Sequence, residues 1–361
     1  LFDRQLPILL GLPQPPMGQG QCVITAGDAL VEFAPNRVSL ASDGVTGLAC
    51  LAWPEQASRH GVYCLDDEGR VLRFLQKPSL EEQALHGAVG PDGRTPLDVG
   101  IVAFDSDVAV ALLDWCGAFE SRERRSWSGP AARVIETLGF DFYREFCCAL
   151  GRETSAEDYV GSVRRSGSEW PTDVLERLYR TLRLFPFHAH VLSPCRFLHF
   201  GTTRQLVASA SELLQDANGL ASRRQLVVMN SRIRRDAPRL NGKHAWLDSC
   251  QVNADVVFVG DNVVVGLDVE RPVRLEQGQC VAVLPGRTRD GRPARFVLCY
   301  GSADQFKRTI GEGATFCNRP VLAWLGDIGA DLTEAWPNAQ PSDDLNLWHA
   351  RLFPALTSPA V

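Results

Sequence analysis

Apolar residues at six-residue intervals constrain the fold of this chain more than any other feature. The series consists of Leu240, Trp246, Val252, Phe258 and Val264. The dipeptide Val-Gly recurs at the same spacing, at 259–260 and 265–266. A six-residue period matches neither a helix nor an isolated strand, but it matches a parallel β-helix, in which each side of a triangular coil takes one hexad. Consecutive antiparallel strands with a chance spacing are the alternative. Because the series is short, the sequence predicts only a short β-helix.

The chain ahead of this series alternates between strand and helix patterns. Strands are predicted at 21–28, 46–53, 96–105 and 187–192, with a hairpin over 60–75. Helices are predicted from residue 80 and over 106–116, 131–150, 170–185 and 202–215. This alternation predicts an α/β domain with a mixed sheet and helices on both faces. The predicted domains are residues 1–235 and the β-helix with a C-terminal segment, 236–361.

Composition and charge limit the classes of partner. The 361 residues are 45% hydrophobic and carry a net charge of −6, so no global field attracts nucleic acid or anionic lipid. No apolar run reaches the roughly 20 residues that a membrane helix needs, and the N-terminal residues lack a signal-peptide pattern. The eleven cysteines contain no C-x-x-C pair. We therefore expect reduced, mostly buried thiols in a cytoplasmic protein, rather than a metal or redox site.

A lysine at the end of a predicted strand is the strongest candidate for chemistry. In FLQKPS, residues 74–79, Pro78 cannot extend a β-ladder and therefore ends the strand. Ser79 and Glu82 have the spacing of a capping box, which predicts a helix from residue 80. Lys77 then lies at the edge where α/β sheets bind ligands, and its ammonium group suits a phosphate. A solvated lysine in a turn is the alternative.

Two further residues follow predicted strands. Asp28 comes after a strand and a glycine, a position where an acid commonly holds a divalent cation beside a phosphate. A plain turn is the alternative. His199 lies in RFLHFGTT, in which the strand ends at Gly201 and Thr202 is placed to cap a helix whose amides would suit an anion. A satisfied core histidine is the alternative there.

Weaker candidates lie close to Lys77 along the chain. His60 and Gly61 open the hairpin that leads to Lys77. In the strand over 96–105, Gly100 follows Asp98 closely and would let a ligand approach the backbone.

Other polar features have simpler interpretations. Asp141 is interpreted as a solvated position within the helix at 131–150. The arginines at 122–125 and 232–235 are interpreted as surface loops, and the Gly- and Arg-rich segment 285–296 as an interruption after the β-helix. The sequence contains no Walker loop, no G-x-S-x-G, no H-E-x-x-H and no zinc-finger spacing.

Taken together, these segments resemble a known enzyme family. In chain order they are ITAGD, HGVYCLDDEGRVLRFLQKPS, DVGIVAF, FLHFGTT, the hexad series, YGSADQFK and LWHARLFP. This order is similar to that of fucose-1-phosphate guanylyltransferase, also called GDP-L-fucose pyrophosphorylase, and LQKPS and FxHxGT are its most specific pieces. The resemblance covers nearly the whole chain. It implies a nucleotidyltransferase α/β domain followed by a short left-handed parallel β-helix.

The resemblance also implies a reaction. The phosphate oxygen of L-fucose 1-phosphate would attack the α-phosphorus of GTP in line, giving GDP-L-fucose and pyrophosphate. Lys77 would grip the sugar phosphate, Gln76 would contact sugar hydroxyls, and Gly100 would lie against the sugar. Asp28 would hold Mg²⁺ at the nucleotide α-phosphate.

The remaining predicted substrate-binding residues come from two segments. His60 and Gly61 belong to the hairpin, and His199 and Gly201 belong to the FxHxGT segment. Many relatives place a second metal-binding aspartate where this chain has His199.

One element of the family pattern is missing ahead of ITAGD. The family has a Gly-rich loop followed by a basic residue, and QPPMGQGQ is too short and lacks that residue. Because the chain begins on Leu1, we expect it to be cut from a longer protein, and we expect little activity from residues 1–361 alone. In some bifunctional relatives an L-fucokinase domain follows, so a covalent C-terminal kinase domain is a candidate partner.

Two alternatives stay open. PDGRTPLDVGIVAF and TSAEDYVGS equally resemble the non-catalytic N-terminal half of an L-fucokinase, which would make this chain a structural or regulatory module. Retention of Lys77 and Asp28 favours the transferase. Because β-helices often mediate oligomers, the third hypothesis is a binding or assembly protein without activity.

Overall fold

The computed structural model describes residues 20–117, 130–218, 226–234, 239–339 and 344–357. The chain divides into two compact units, Leu1–Leu198 and His199–Val361. The helix that begins at Thr203 therefore falls in the second unit, ahead of the domain boundary that the sequence predicts at residue 235. The segments 118–129 and 235–238, which include the predicted arginine loop at 122–125 and Arg235, lie outside the described residues.

The first unit contains the predicted α/β elements. Its strands are β1 Gln21–Thr25, β2 Ala29–Phe33, β3 Val45–Ala52, β4 Gly61–Leu65, β5 Val71–Gln76, β6 Thr95–Asp105, β7 Phe187–Val191 and β8 Cys195–His199, whose last residue opens the second unit. Its helices are α1 Pro54–Ala57, α2 Leu80–Leu85, α3 Ser106–Trp115, α4 Pro130–Leu138, α5 Ala156–Arg165 and α6 Thr172–Leu182, with a 3-10 turn at Pro35–Arg37.

Six of these strands form one mixed sheet. The order is β5-β4-β6-β3-β7, with β1 also paired to β6. β3 and β7 are parallel, whereas β1, β3 and β4 each run antiparallel to β6. Strands β2 and β8 form a separate two-stranded ribbon. The central strand β3 is buried along most of its length, as its apolar sequence predicts.

Apolar clusters cover both faces of this sheet. Val45 and Leu48 of β3 point to opposite faces because side chains alternate along a strand, and they belong to different clusters. The cluster around Val45 contains side chains of α3, α5 and α6. The cluster around Leu48 contains Ala57 of α1 and packs against Phe33 of β2 and Phe197 of β8. The predicted α/β sheet with helices on both faces is confirmed.

The predicted helix over 131–150 is wrong as a single element. α4 ends at Leu138 because Gly139 has a left-handed φ of +77°, which turns the chain out of the helix. A π-helical turn at Phe142–Phe146 and a 3-10 turn at Cys147–Ala149 follow. Asp141 therefore lies outside a helix, and its carboxylate accepts hydrogen bonds from the N–H groups of Tyr143 and Arg144, both at 3.1 Å.

The second unit begins with a helix and continues with short strands. Its helices are α7 Thr203–Asn218, α8 Val321–Ile328 and α9 Leu332–Ala335, with a 3-10 turn at Leu347–His349. Its first strands are β9 Leu226–Met229, β10 Arg232–Ile233, β11 Leu240–Gly242, β12 Ala245–Asp248, β13 Gln251–Val252, β14 Val256–Phe258, β15 Asn262–Val265, β16 Asp268–Val269 and β17 Val273–Leu275. The later strands are β18 Gln279–Arg287, β19 Pro293–Gly301, β20 Thr315–Phe316, β21 Arg319–Pro320 and β22 Ala355–Leu356.

The short strands form the predicted parallel β-helix. β9, β12, β15 and β18 stack in parallel on one side of the coil. The ladders β10-β13-β16 and β11-β14-β17 form the other two sides. Each ladder has three strands, which corresponds to a β-helix of about three turns. The strand pairings are the same for either hand of the coil, so the left-handed sense stays a prediction.

The hexad series identifies the coil correctly but places one side chain wrongly. Val252, Phe258 and Val264 are buried in the interior cluster, whereas Trp246 packs in a different cluster that includes Val207 of α7. Its neighbour Leu247 takes the interior position and pairs with Val264. One turn of the β-helix takes 19 residues, from Val228 to Leu247, and the next takes 17, from Leu247 to Val264. Three hexads would take 18 residues, so a strict hexad count is off by one residue here.

The segment 285–296 is part of a hairpin rather than an interruption. β18 pairs antiparallel with β19, with Gln279 opposite Gly301 at one end and Arg287 opposite Pro293 at the other. The first half of β18 also pairs in parallel with β15. The motif YGSAD that follows β19 has a structural role, because the Asp304 carboxylate accepts hydrogen bonds from the N–H groups of Gly301 and Cys317 at 2.6 and 2.7 Å.

Most of the cysteines are buried, as the sequence predicts. All eleven are free, and seven are buried. Burial raises the pKa of Cys64 and of Cys280 to about 12, so both thiols stay protonated at neutral pH. Within the described ranges, no helix combines the length and the apolar character needed to cross a bilayer.

Candidate functional site

Lys77 directly follows β5, as predicted. Ser79 and Glu82 form a reciprocal capping box that starts α2, with Ser79 Oγ accepting from the Glu82 N–H at 3.1 Å and the Glu82 carboxylate accepting from the Ser79 N–H at 2.8 Å. Between strand and helix, Lys77 has a left-handed φ of 51° and donates its N–H to the His60 carbonyl at 2.9 Å. Because this conformation costs a non-glycine residue about 1–2 kcal/mol, the surrounding elements must hold Lys77 in place.

The side chain of Lys77 is exposed. Among the described residues, no carboxylate lies within ion-pair distance of its ammonium group. The charge is therefore available to an anionic ligand at this edge of the sheet.

Strands β1 and β4 both pair with the same edge of β6, near Lys77. Just past β1, Ala26 donates its N–H to the Gly100 carbonyl at 2.8 Å. Gly61 at the start of β4 lies so close to β6 that a Cβ on it would stand 3.2 Å from Asp98 Cβ, and Gly61 also pairs with Gln76. The turn that carries Asp28 and the hairpin end that carries Lys77 therefore converge on residues 98–100 of β6.

Gly100 forms a bulge in β6 at this point. The register with β3 shifts between Gly47 and Ala49, and Gly100 has a φ of +77°. A Cβ on Gly100 would stand 2.7 Å from Ala26 Cβ and 3.3 Å from Tyr143 Oη. Only glycine therefore fits here without displacing a neighbour.

Asp98 is a buried acid next to this bulge, with 5% of its surface exposed. Its Oδ1 accepts hydrogen bonds from the Tyr63 hydroxyl at 2.9 Å and from the Gly100 N–H at 3.1 Å. Burial raises the pKa of Asp98 to about 7, although both hydrogen bonds act to lower it. The carboxyl group is thus poised between its neutral and charged forms near neutral pH.

Gln76 presents a buried acceptor without a donor. No hydrogen-bond partner reaches its Oε1 from any residue in the described part of the chain. Leaving a buried acceptor unpaired costs about 1–3 kcal/mol, and a ligand hydroxyl would remove that cost. This agrees with the predicted contact between Gln76 and sugar hydroxyls, which stays a prediction.

The site also contains two tyrosines that were not predicted from the sequence. Tyr63 holds Asp98, and the Tyr143 hydroxyl donates to the Gly100 carbonyl at 3.4 Å. Burial raises the pKa of Tyr143, and the charges of Asp98, Cys147, Asp28 and Asp141 raise it further. The continuous apolar run of β4 marks Tyr63 as a buried strand residue, but its hydrogen-bond partner is known only once the sheet pairing is known.

Asp28 lies in the exposed turn between β1 and β2. The described residues contain no group of three or more His, Cys, Asp or Glu side chains that would hold a metal ion by themselves. Mg²⁺ commonly binds one or two protein carboxylates and takes its other ligands from substrate phosphates and water. The Asp28 carboxylate fits that kind of site, with the nucleotide supplying the other ligands.

His199 and Gly201 belong to the second unit. Thr202 Oγ1 accepts from the Gln205 N–H at 3.2 Å, so the predicted cap of α7 is confirmed. The Ser209 hydroxyl donates to the His199 carbonyl at 2.7 Å. The roles of His199 and Gly201 in substrate binding stay predictions, and residues 1–19, with most of QPPMGQGQ, lie outside the described residues.

Comparisons with known proteins identify the family. The family model of the fucose pyrophosphorylase domain matches residues 1–358. A bifunctional fucokinase/GDP-fucose pyrophosphorylase from Arabidopsis thaliana is 26% identical over an alignment of 401 residues, which covers 99% of this chain and 34% of that protein. The chain thus spans about a third of the length of this relative. It belongs to the fucose pyrophosphorylase family, whose members are, as pyrophosphorylases, nucleotidyltransferases.

Proposed function

We propose that this chain carries out guanylyl transfer from GTP to L-fucose 1-phosphate, giving GDP-L-fucose and pyrophosphate. Membership of the fucose pyrophosphorylase family supports the substrate class. The observation that carries the proposal is the convergence at residues 98–100 of β6, where the Lys77 hairpin and the Asp28 turn come together.

The sugar phosphate binds at the end of β5 in this proposal. The Lys77 ammonium pairs with the phosphate, and Gln76 Oε1 accepts a hydrogen bond from a sugar hydroxyl. The sugar lies against the backbone of Gly100, as the family resemblance implies. His60 and Gly61, at the start of β4, complete the substrate contacts within the first unit.

The chemistry requires little proton transfer, because the attacking phosphate oxygen is already an anion. The task of the protein is to hold two polyanions that repel each other in an in-line arrangement. Lys77 supplies a fixed positive charge for this purpose. Asp28 would hold Mg²⁺, which when bound supplies further neutralisation of the phosphate charges.

The test is the release of pyrophosphate by the full-length protein, supplied with GTP and L-fucose 1-phosphate. We expect Lys77→Ala to lower turnover, because the loss of one charge contact to the reacting phosphates removes about 2–4 kcal/mol of transition-state stabilisation. Lys243→Ala, which removes an exposed lysine from the β-helix, is the matched control and should leave turnover unchanged.

Two outcomes would count against the proposal. Unchanged turnover in a folded Lys77→Ala variant removes Lys77 from the mechanism. Fucose phosphorylation by the full-length protein, without any GDP-L-fucose formed, favours the structural or regulatory module instead.

A further inference from the structure

A cavity of about 570 Å³ opens in the first unit, at the other end of β5 from Lys77. Arg70 precedes β5 and Lys77 follows it, and the strand has six residues. At about 3.3 Å per residue these six residues span roughly 20 Å. The cavity is therefore separate from the candidate site and independent of the proposed function.

Three arginines from separate segments line this cavity. They are Arg70 of the β4–β5 turn, Arg152 of the loop before α5, and Arg183 at the end of α6. The backbone around them is well fixed, since the Arg70 N–H donates to Asp66 Oδ1 at 2.8 Å and the Arg152 N–H donates to the Val71 carbonyl at 3.1 Å.

The guanidinium groups have no strong protein partner. The shortest ion pairs of Arg70, with Glu68, and of Arg152, with Asp66, both measure 3.9 Å, which exceeds the 2.7–2.9 Å or so of a charge-assisted hydrogen bond. Arg183 lies over the ring of Tyr179, 5.4 Å from its centroid. Within the ranges that the structure describes, none of the three side chains donates a hydrogen bond to a protein group.

Basic side chains outnumber acidic ones in the lining of this cavity. Three arginines line it with one acid, Asp43, and Glu68 and Asp66 lie outside the lining at 3.9 Å from Arg70 and Arg152. Clustered guanidinium groups with free donors are the arrangement that proteins use for planar recognition of phosphate.

The rest of the lining is largely apolar and aromatic. It includes Val71, Leu150, Tyr179, Phe185 and Phe187. Small-molecule sites generally combine such a lining with a few placed polar groups, in cavities of about 300–1,000 Å³. We infer that this cavity binds a small organic phosphate of nucleotide size, with its phosphate on the arginines and its flat or apolar part on the aromatic lining.

The test is isothermal titration of AMP, adenosine and inorganic phosphate into the protein that carries Lys77→Ala, so that binding at the candidate site is weakened. We expect AMP to bind more tightly than either fragment, because only AMP uses both the arginines and the aromatic lining. Adding Arg70→Ala and Arg183→Ala should weaken AMP binding about tenfold or more, since each removes a charged hydrogen-bond donor.

The matched control is Arg180→Ala, one turn before Arg183 on α6, whose side chain pairs with Glu176 at 3.1 Å. It should leave AMP binding unchanged, and circular dichroism should show that all variants are folded. Equal AMP affinity with and without Arg70 and Arg183 would overturn the inference. So would the absence of any AMP binding at millimolar concentration, which would show that these arginines are only solvated surface charges.

Discussion

The two ends of β5 are built in different ways. At the Lys77 end two polar groups are buried, the Asp98 carboxyl group and Gln76 Oε1, and the non-glycine residue Lys77 has a left-handed backbone. At the Arg70 end the charges lie on the rim, where the side chains of Arg70 and Arg152 are 50% and 64% exposed.

This difference indicates two kinds of ligand recognition. Buried polar groups and a constrained backbone cost stability, and they are retained where a ligand needs a fixed geometry. Exposed arginines cost little and select mainly for negative charge. The Lys77 end is therefore expected to be selective for one sugar phosphate, and the Arg70 end to accept a class of organic phosphates.

The buried acid provides the largest test of this comparison. Because the pKa of Asp98 is raised in the folded state to about 7, the folded protein retains a proton that the unfolded chain loses near pH 4. The stabilisation is therefore complete at low pH and is lost as the pH rises to 7. Between pH 4.5 and pH 8 we expect the wild type to lose about 3 kcal/mol relative to Asp98→Asn.

Urea unfolding of both proteins at the two pH values measures this change. Asn keeps an oxygen acceptor for the Tyr63 hydroxyl and the Gly100 N–H, so the variant isolates the ionisation of the carboxyl group. A stability difference between the two proteins that is the same at pH 4.5 and pH 8 would show that burial does not raise the pKa of Asp98.

A pair of glycines, Gly69 shortly before β5 and Gly100 in the bulge of β6, gives a smaller test. Gly100 and Gly69 share a φ of +77°, so alanine at either position meets a similar backbone cost of about 1–2 kcal/mol. A Cβ at Gly69 would find only the Ala189 carbonyl oxygen at 3.4 Å, whereas one at Gly100 would meet Ala26 Cβ at 2.7 Å. We expect Gly100→Ala to lower the free energy of unfolding by about 2 kcal/mol more than Gly69→Ala does.

The same denaturation measurements check this pair. Pyrophosphate release should also fall in Gly100→Ala and stay near wild type in Gly69→Ala. Equal losses of stability and activity in the two variants would show that the bulge at Gly100 is not more tightly packed than an ordinary turn.

Local sequence patterns predict most of the elements but few of the contacts. Pro78 and the Ser79–Glu82 spacing are enough to place Lys77 between a strand and a helix. The contact of Asp98 with Tyr63 joins residues 35 positions apart, and it depends on β4 lying beside β6. Such a pairing is a property of the folded sheet, and neither residue's neighbours in sequence indicate it.

Periodicity fails where the chain departs from a regular repeat. Gly139 divides the predicted helix at 131–150, because its left-handed backbone ends α4. Because successive turns of the β-helix differ in length, Leu247 rather than Trp246 lies in the interior. The coil architecture is nevertheless predictable, since most interior positions still hold apolar residues at about the right spacing.

The most direct test of the proposed sugar-phosphate site is a crystal structure of the protein with L-fucose 1-phosphate. We expect the phosphate within about 3 Å of Lys77 Nζ, with a sugar hydroxyl donating to Gln76 Oε1 and the ring against Gly100. A ligand bound only among Arg70, Arg152 and Arg183, with no density beside Lys77, would contradict this expectation.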